Sequence, residues 1–535
     1  MDITPQTKLA PPNQTNPSGQ ASAFNLREFI SNNRNILILL FFLVFITYFN
    51  SIGNDFVSDD VGAIKTNPDV AYLEGVFASP MGIIQRSIYF FDAFIFGLHP
   101  SIFRITSNLI FHIGNTFLVF LLLSLMSKRK PLAVFAASLI AVHPILTEAV
   151  VWISGSPYVQ GTFFALLSMI TYILFKNAGS WKKYLHSIFF VLAITTSPVA
   201  IMVPFVILLR ELSLGGLRGN WKKIIPELTV ILITSVFFAR MVLQGFAPNQ
   251  GVVDMRDGAF RDPLFQIPLA VVNYLRLIFW PNTLSFYQTD LFFPINRILF
   301  ASLFFILIPS ILFYSWKKNR EVFFWLSFFF LSLVPFLFTL RVTWVFAERY
   351  VYFGSIGIFV VVALFFNRLL KIDKKCAKPV YIVFAMIIIL LSFRTIFRNN
   401  DWKNEDSLWI ATSKTSSSYA AHNNLGGVYQ RQGDWEKAID EFNLAIELYP
   451  GLADAYFNLG ESYKQTGQTD RAIESLKRAV ELNPQDWQAF RMIAGIYFEK
   501  EDYQKSLAYM KKALEINPGD KILQGDVKII QSKIK

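Results

Sequence analysis

Four small groups of residues in this chain have the types and spacing for chemistry. Asp59 and Asp60 stand side by side in "FNSIGNDFVSDDVG", directly after the first long apolar run, "ILILLFFLVFITYF". Adjacent carboxylates repel, so the pair gains nothing unless something opposite holds it. It reads either as a solvated loop start capping a helix at Val61, or as a general base or metal site in which one carboxylate steadies the other. In "AVHPILTEAVVWISG", His143, Glu148 and Trp152 fall at the end of an apolar run. A lone His there would be structural, whereas His and Glu together at the mouth of an apolar bundle point to a site. In "RVTWVFAERYVYFG", Arg341, Glu348 and Arg349 precede another such run. One interfacial Arg snorkels; two near aromatic rings suit a lipid phosphate. In "NLIFHIGN", Asn108, His112 and Asn115 share one helical face. A polar stripe inside a membrane is expensive, which makes a cavity lining the expected role.

The elements that must position these groups are set by composition. Of 535 residues, 53% are hydrophobic and 16% aromatic, with 55 Phe, and only 16% are charged; the mean hydropathy is +0.41. That excludes an ordinary soluble enzyme. Runs long enough to cross a bilayer, about 20 residues each, recur up to residue 397 and then stop. Residues 400–535 hold 17 Lys and Arg against 20 Asp and Glu, a balance of −3; the remainder holds 33 against 18, or +15. The basic excess sits in short loops between apolar runs, the positive-inside pattern of a membrane protein, and excludes a nucleic-acid partner. The one cysteine, Cys376, allows no intramolecular disulfide.

Placing the basic loops Lys128–Lys130, Lys176–Lys183, Arg210–Lys223, Lys317–Arg320 and Lys371–Lys378 in the cytoplasm predicts spans near 36–52, 104–126, 131–143, 158–175, 185–196, 198–209, 226–243, 297–314, 322–340, 351–370 and 380–397. That is eleven crossings in a transmembrane domain, 31–398. Phe265–Trp280 carries Pro268, Asn273 and Arg276 and reads as a re-entrant or interfacial helix. Residues 1–30 are expected to be a cytoplasmic, disordered N-terminal segment, with the first span an uncleaved anchor. The segments 50–103, 143–157, 244–296 and 341–350 then face the outside, where the chemistry-bearing groups gather.

The tail is a repeat array. Three 34-residue blocks, 419–452, 453–486 and 487–520, follow without a gap and have the tetratricopeptide period. Gly426, Gly460 and Ala494 let paired helices approach; Tyr429, Tyr463 and Tyr497 fill between them with Ala445, Ala479 and Ala513; Pro450, Pro484 and Pro518 close the units. Residues 399–418 read as a linker with a half-repeat helix, and 521–535 as a capping helix. Such an array offers a groove for a peptide or protein and does no chemistry itself. The expected fold is therefore all-α: a polytopic membrane helical bundle followed by a tetratricopeptide solenoid, with no expectation for oligomeric state.

Together, Asp-Asp after the first span, "NLxxHxxN", "HPxxxEAVxWISG", "AERYxY" and the C-terminal repeats resemble the polytopic transmembrane-and-tetratricopeptide O-mannosyltransferases and their bacterial relatives, of the GT-C glycosyltransferase fold. The resemblance covers nearly all of the chain beyond residue 36. It implies a transferase that takes mannose or another hexose from a polyprenyl-phosphate donor at the outer face of a bacterial plasma (inner) membrane, its repeats outside the cytoplasm and holding a protein acceptor. It assigns the acceptor base to Asp59 or Asp60, with Asp59 favoured, and places Arg349, His143 and Glu148 near the donor phosphate or the site mouth. Where relatives continue "ISGRxD" this chain has Ser156 and Tyr158, and "TSP" puts Ser197 where relatives carry Lys. Two cations are missing, for which Arg86 is the candidate substitute; the alternative is an inactive membrane-anchored scaffold.

Overall fold

The computed structural model describes residues 24–176, 178, 180–214, 236, 263–286, 295–339, 346–372, 377–416 and 418–534. Arg341, Cys376 and nearly all of the expected 226–243 span lie outside the described residues. A helix runs Leu26–Asn32, capped by the Asn25 side chain, inside the stretch expected to be disordered.

Among the described residues every regular element is helical. Six helices are long and apolar enough to cross a membrane: Arg34–Ser51, Pro100–Ser127, Ile153–Phe175, Arg320–Leu337, Glu348–Ile372 and Ala377–Trp402. Lys130–Val142 and Pro144–Val151, bent by 52°, make a seventh if counted as one span. Of the other expected crossings, 226–243 lies almost wholly outside the described residues and 297–314 falls in the 24-residue helix Ile295–Lys318, whereas Leu185–Thr196 and Val203–Ser213 have only 12 and 11 residues. At 1.5 Å per residue each covers less than about 20 Å of a core about 30 Å thick. The helix Pro263–Phe279 holds only a short apolar stretch, Ile267–Phe279. Large apolar side chains stay exposed on the first and last spans, among them Phe42, Ile46, Leu390 and Phe397. These are the faces that hydrocarbon covers.

The break at His143 matters most for the site. Pro144 has no N–H to continue the helix, and it forces His143 into extended backbone at ψ 127°. The chain then turns through the short helix Thr147–Val151, every residue of which is buried. It becomes extended again at Trp152 and restarts at Ser156–Phe175. A wedge carrying Glu148 and Trp152 thus enters the bundle. Beneath the loop after the first span lies a small apolar cluster of Phe56, Ile64, Tyr89, Phe103 and Ile153.

The repeat helices pair as Tyr419–Gln432 with Trp435–Leu448, Ala453–Gln465 with Thr469–Leu482, and Trp487–Glu499 with Tyr503–Ile516; Lys521–Ile534 closes the array. A Cβ on Gly426 would stand 2.6 Å from the Phe442 ring, so the close approach requires glycine there. The main apolar core runs from the spans through Trp402, Leu408 and Trp409 to Leu425 and Val428, joining bundle and array without a gap.

Candidate active site

The loop after the first span is held from three sides. Arg104, fully buried, donates to the carbonyls of Asn54 (2.8 Å), Asp55 (3.0 Å), Ile52 (3.3 Å) and Val151 (2.7 Å). The Trp152 indole donates to Val57 O at 3.3 Å. From the tail, Lys403 O accepts the Asp55 N–H (2.9 Å) and Glu405 accepts the Ser58 N–H (2.7 Å). Asn54 donates to Asn399 O at 2.9 Å. The loop and the first helix of the tail, Glu405–Ser413, therefore share one end of the bundle.

The two acids have different surroundings. Asp60 is buried; its Oδ1 accepts the Ser154 N–H (2.7 Å) and hydroxyl (2.6 Å), and its Oδ2 the Val57 N–H (3.4 Å). Burial raises its pKa to about 6, against the opposing pull of the Ser154 bonds and Arg104. Asp59 is exposed at the surface of the loop and makes no hydrogen bond or ion pair among the described residues. The protein packed around it raises its carboxyl pKa; the Arg349 charge opposes this and the Glu405 charge adds to it. Asp59 is thus the available carboxylate, and Asp60 is an anchor. This arrangement does not suit a metal held by the pair, and no group of three or more His, Cys, Asp or Glu side chains gathers for one among the described residues.

Arg349, whose charge acts on Asp59, is fixed by Glu148. The carboxylate takes the guanidinium through Oε1 and the Arg349 backbone N–H through Oε2 at 3.0 Å. The guanidinium also lies over the rings of Trp152 (5.2 Å) and Tyr350 (5.0 Å). Trp152, Phe286, Trp402 and Trp409 form one aromatic wall, with successive ring centroids 5.3–5.6 Å apart around Phe286. All four rings are buried, so they form a packed backing for the Arg349 guanidinium.

Other expected site residues do structural work. His143 is pinned at both nitrogens, Nε2 to Ile278 O (2.8 Å) and Nδ1 to the Ile145 N–H (3.2 Å). The polar stripe is buried, with hydrogen bonds to neighbouring elements. Asn108 donates to Ala149 O (2.9 Å) and Trp152 O (2.8 Å), Asn115 donates to Val159 O (2.9 Å), and His112 meets the Tyr352 hydroxyl at 2.6 Å, all fully buried. Trp152 and Glu348 are buried too. Asn108 thereby serves the broken helix, whose carbonyls at Ala149 and Trp152 need donors inside a bilayer. Glu348 accepts the Ser285 N–H at 2.6 Å and lies 3.6 Å from Arg398, itself bonded to Asp401. Arg86 is not brought to the group; its donors go to the carbonyls of Val76, Ser79 and Met81. Ser156 meets Gln85 at 3.0 Å, and Ser197 is fully buried against Gly161.

Sequence reasoning missed Arg104, Arg398 and Glu405. The signal for Glu405 was present in "NEDSLW", an acidic first turn beside a tryptophan, but nothing local connects it to residue 58.

Comparisons with known proteins agree with this architecture. The tetratricopeptide repeat family matches residues 417–485 and, in a second form, 457–521. Solved tetratricopeptide structures are similar at low overall overlap. YrrB, described as having an unusual peptide-binding site, is 17% identical, covering 41% of this chain and 97% of that one at a TM-score of 0.22. The Sgt2 domain from Aspergillus fumigatus is 19% identical, covering 22% and 78% at 0.21. A protein O-mannosyl-transferase of Caenorhabditis elegans is 26% identical over 78% of this chain and 63% of the relative. Protein O-mannosyl-transferase TMTC1 of Homo sapiens is 24% identical over 76% and 54%, and Tmtc2 of Drosophila melanogaster is 31% identical over 116 residues, 22% and 12%. Where the match is long, the chain spans about half to three-fifths of the relative's length. The resemblance carried by the motifs agrees with these matches: over about three-quarters of its length the chain is distantly similar to protein O-mannosyl-transferases, and its tail matches the tetratricopeptide repeat family.

Proposed function

We propose that this chain is a membrane glycosyltransferase of the GT-C type, moving mannose or another hexose from a polyprenyl-phosphate donor to a protein hydroxyl. The reaction takes place at the extracytoplasmic face of a plasma membrane. The observation that carries the reading is the pairing of one open carboxylate, Asp59, with one oriented cation, Arg349, at the end of the bundle where the repeat tail begins. The relatives' printed activity supports it, and the basic loops support the outward placement of this end.

In this reading the acceptor oxygen bonds to the anomeric carbon as the bond from that carbon to phosphate oxygen breaks. The phosphate leaves with the electron pair. Asp59 takes the acceptor's proton. Arg349, held in direction by Glu148, offsets charge growing on the departing phosphate. Asp60 keeps the loop in place, and the repeats hold the acceptor close, raising its effective concentration.

The test is Asp59→Asn in the full chain, reconstituted in liposomes with polyprenyl-phosphate mannose and a Ser/Thr-rich peptide. Transfer should fall by about 10²-fold or more with the thermal transition unchanged; a wild-type rate removes Asp59 from the chemistry. A specific observation favours a second reading, an inert scaffold acting through its repeats: Ser197, fully buried beside Gly161, carries no charge where relatives have Lys. Wild-type chain that binds peptide yet transfers no sugar would select that reading.

A further inference from the structure

The turn that presents Asp59 is fixed by the tail. Ser58, the residue before it, has φ 54°, a left-handed conformation that costs a residue with a Cβ and persists only where its surroundings determine it. Its N–H donates to Glu405 Oε2 at 2.7 Å, and Glu405 Oε1 accepts the Trp409 indole N–H at 2.5 Å. Both oxygens of Glu405 are therefore committed. Its own position is rigid: it opens the helix Glu405–Ser413 behind a reciprocal cap between Asn404 and Ser407, and Trp409 is buried against Phe286. On the far side of Asp59, Asp60 is bonded to Ser154. Asp59 sits between two anchors, one from the membrane domain and one from the repeat tail.

Resting on the reading of Asp59 as the acceptor base, we infer that Glu405 is its positioning residue: by holding the Ser58 turn it aims Asp59 into the space beside Arg349 and makes the entry to the repeat array a working part of the site. The blander role, an acid favoured in a helix's first turn, explains neither the left-handed Ser58 nor the bond to it. The charged groups around Asp59 are Arg349 from the bundle, Glu405 from the tail, and Asp55 and Asp60 on its own loop. Because the Glu405 charge raises the Asp59 pKa, removing that charge alone lowers it.

Two variants of the full chain in liposomes separate these contributions. Glu405→Ala removes the acceptor for Ser58; Glu405→Gln keeps one acceptor, for the Ser58 N–H, while removing the charge and the acceptor for the Trp409 indole. Hydrogen exchange at the Ser58 amide should speed roughly tenfold or more in Glu405→Ala and little in Glu405→Gln. With polyprenyl-phosphate mannose and a Ser/Thr-rich peptide, Glu405→Ala should lose roughly 10- to 100-fold in kcat with the donor KM unchanged. Glu405→Gln should keep most of its rate and move the acid limb of the pH profile to lower pH. Unchanged Ser58 exchange in Glu405→Ala overturns the inference whatever the activity, and so does an unmoved pH profile in Glu405→Gln. Faster Ser58 exchange in Glu405→Ala, together with a wild-type chain that transfers no sugar, would support the fixed turn and count against the transferase reading instead.

Discussion

The Ser58 N–H and the Glu405 carboxylate lie 347 positions apart in sequence and 2.7 Å apart in space. This bond, with those from Asp55 to Lys403 and from Asn54 to Asn399, sews the loop after the first span to the start of the repeat tail. Acid pair, cation and repeat entrance therefore belong to one face of the molecule.

Asp60 makes stability depend on pH. Its folded pKa, about 6, lies above its ordinary 3.8, so the unfolded chain gives up this proton first. Stability should fall as pH rises from about 4 to about 6 and stay level above, by about 3 kcal/mol for the full shift. Asp60→Asn should flatten that window in thermal melts of the detergent-solubilised chain.

The Arg349 charge holds the Asp59 pKa down against burial and Glu405. Base catalysis needs the ionised carboxylate, so transfer should rise with pH through a midpoint above 3.8. Arg349→Gln should carry that midpoint to higher pH, the opposite direction to Glu405→Gln, besides lowering the rate. A pH–rate profile on residual activity reads both.

Glu148 and Arg349 are a buried pair. Glu148→Gln leaves the guanidinium without its counter-charge and should cost about 3–5 kcal/mol. The double variant Glu148→Gln, Arg349→Gln should recover part of that loss in the melting temperature while remaining inactive.

Within the array, Gly426→Ala drives a Cβ into the Phe442 ring. A loss of about 1–3 kcal/mol is expected from this overpacking, seen as earlier proteolysis of the 419–520 region with the membrane domain intact.

The repeats were legible because a 34-residue period with small residues at fixed positions leaves one architecture. The spans were legible wherever an apolar run was long. Short helices such as Leu185–Thr196 read as crossings only because loop charges demanded them. The end of a span at 143 was legible, but not that Asn108 would serve the carbonyls freed beyond it, since a polar stripe looks the same whether it faces a cavity or a broken helix. Residue type alone does not separate Asp59 from Asp60, and the preference for Asp59 came from the resemblance; the Ser154 N–H and hydroxyl mark Asp60 as the anchored acid. Arg104 looks like an interfacial charge until the carbonyls it meets, 47 or more residues away, are in place, and so does Arg398 until Glu348, 50 residues away, is beside it.

Sidedness is where the account is most exposed. Single cysteines replacing Asn67, beside the acid loop, and Gly451, in the array, can be labelled in intact cells with a membrane-impermeant thiol reagent, Cys376 serving as the cytoplasmic control. Labelling at 67 and 451 without permeabilisation, with Cys376 protected, is the expected result. Labelling at 67 and 451 only after permeabilisation would place both acids and repeats in the cytosol and contradict the proposed reaction.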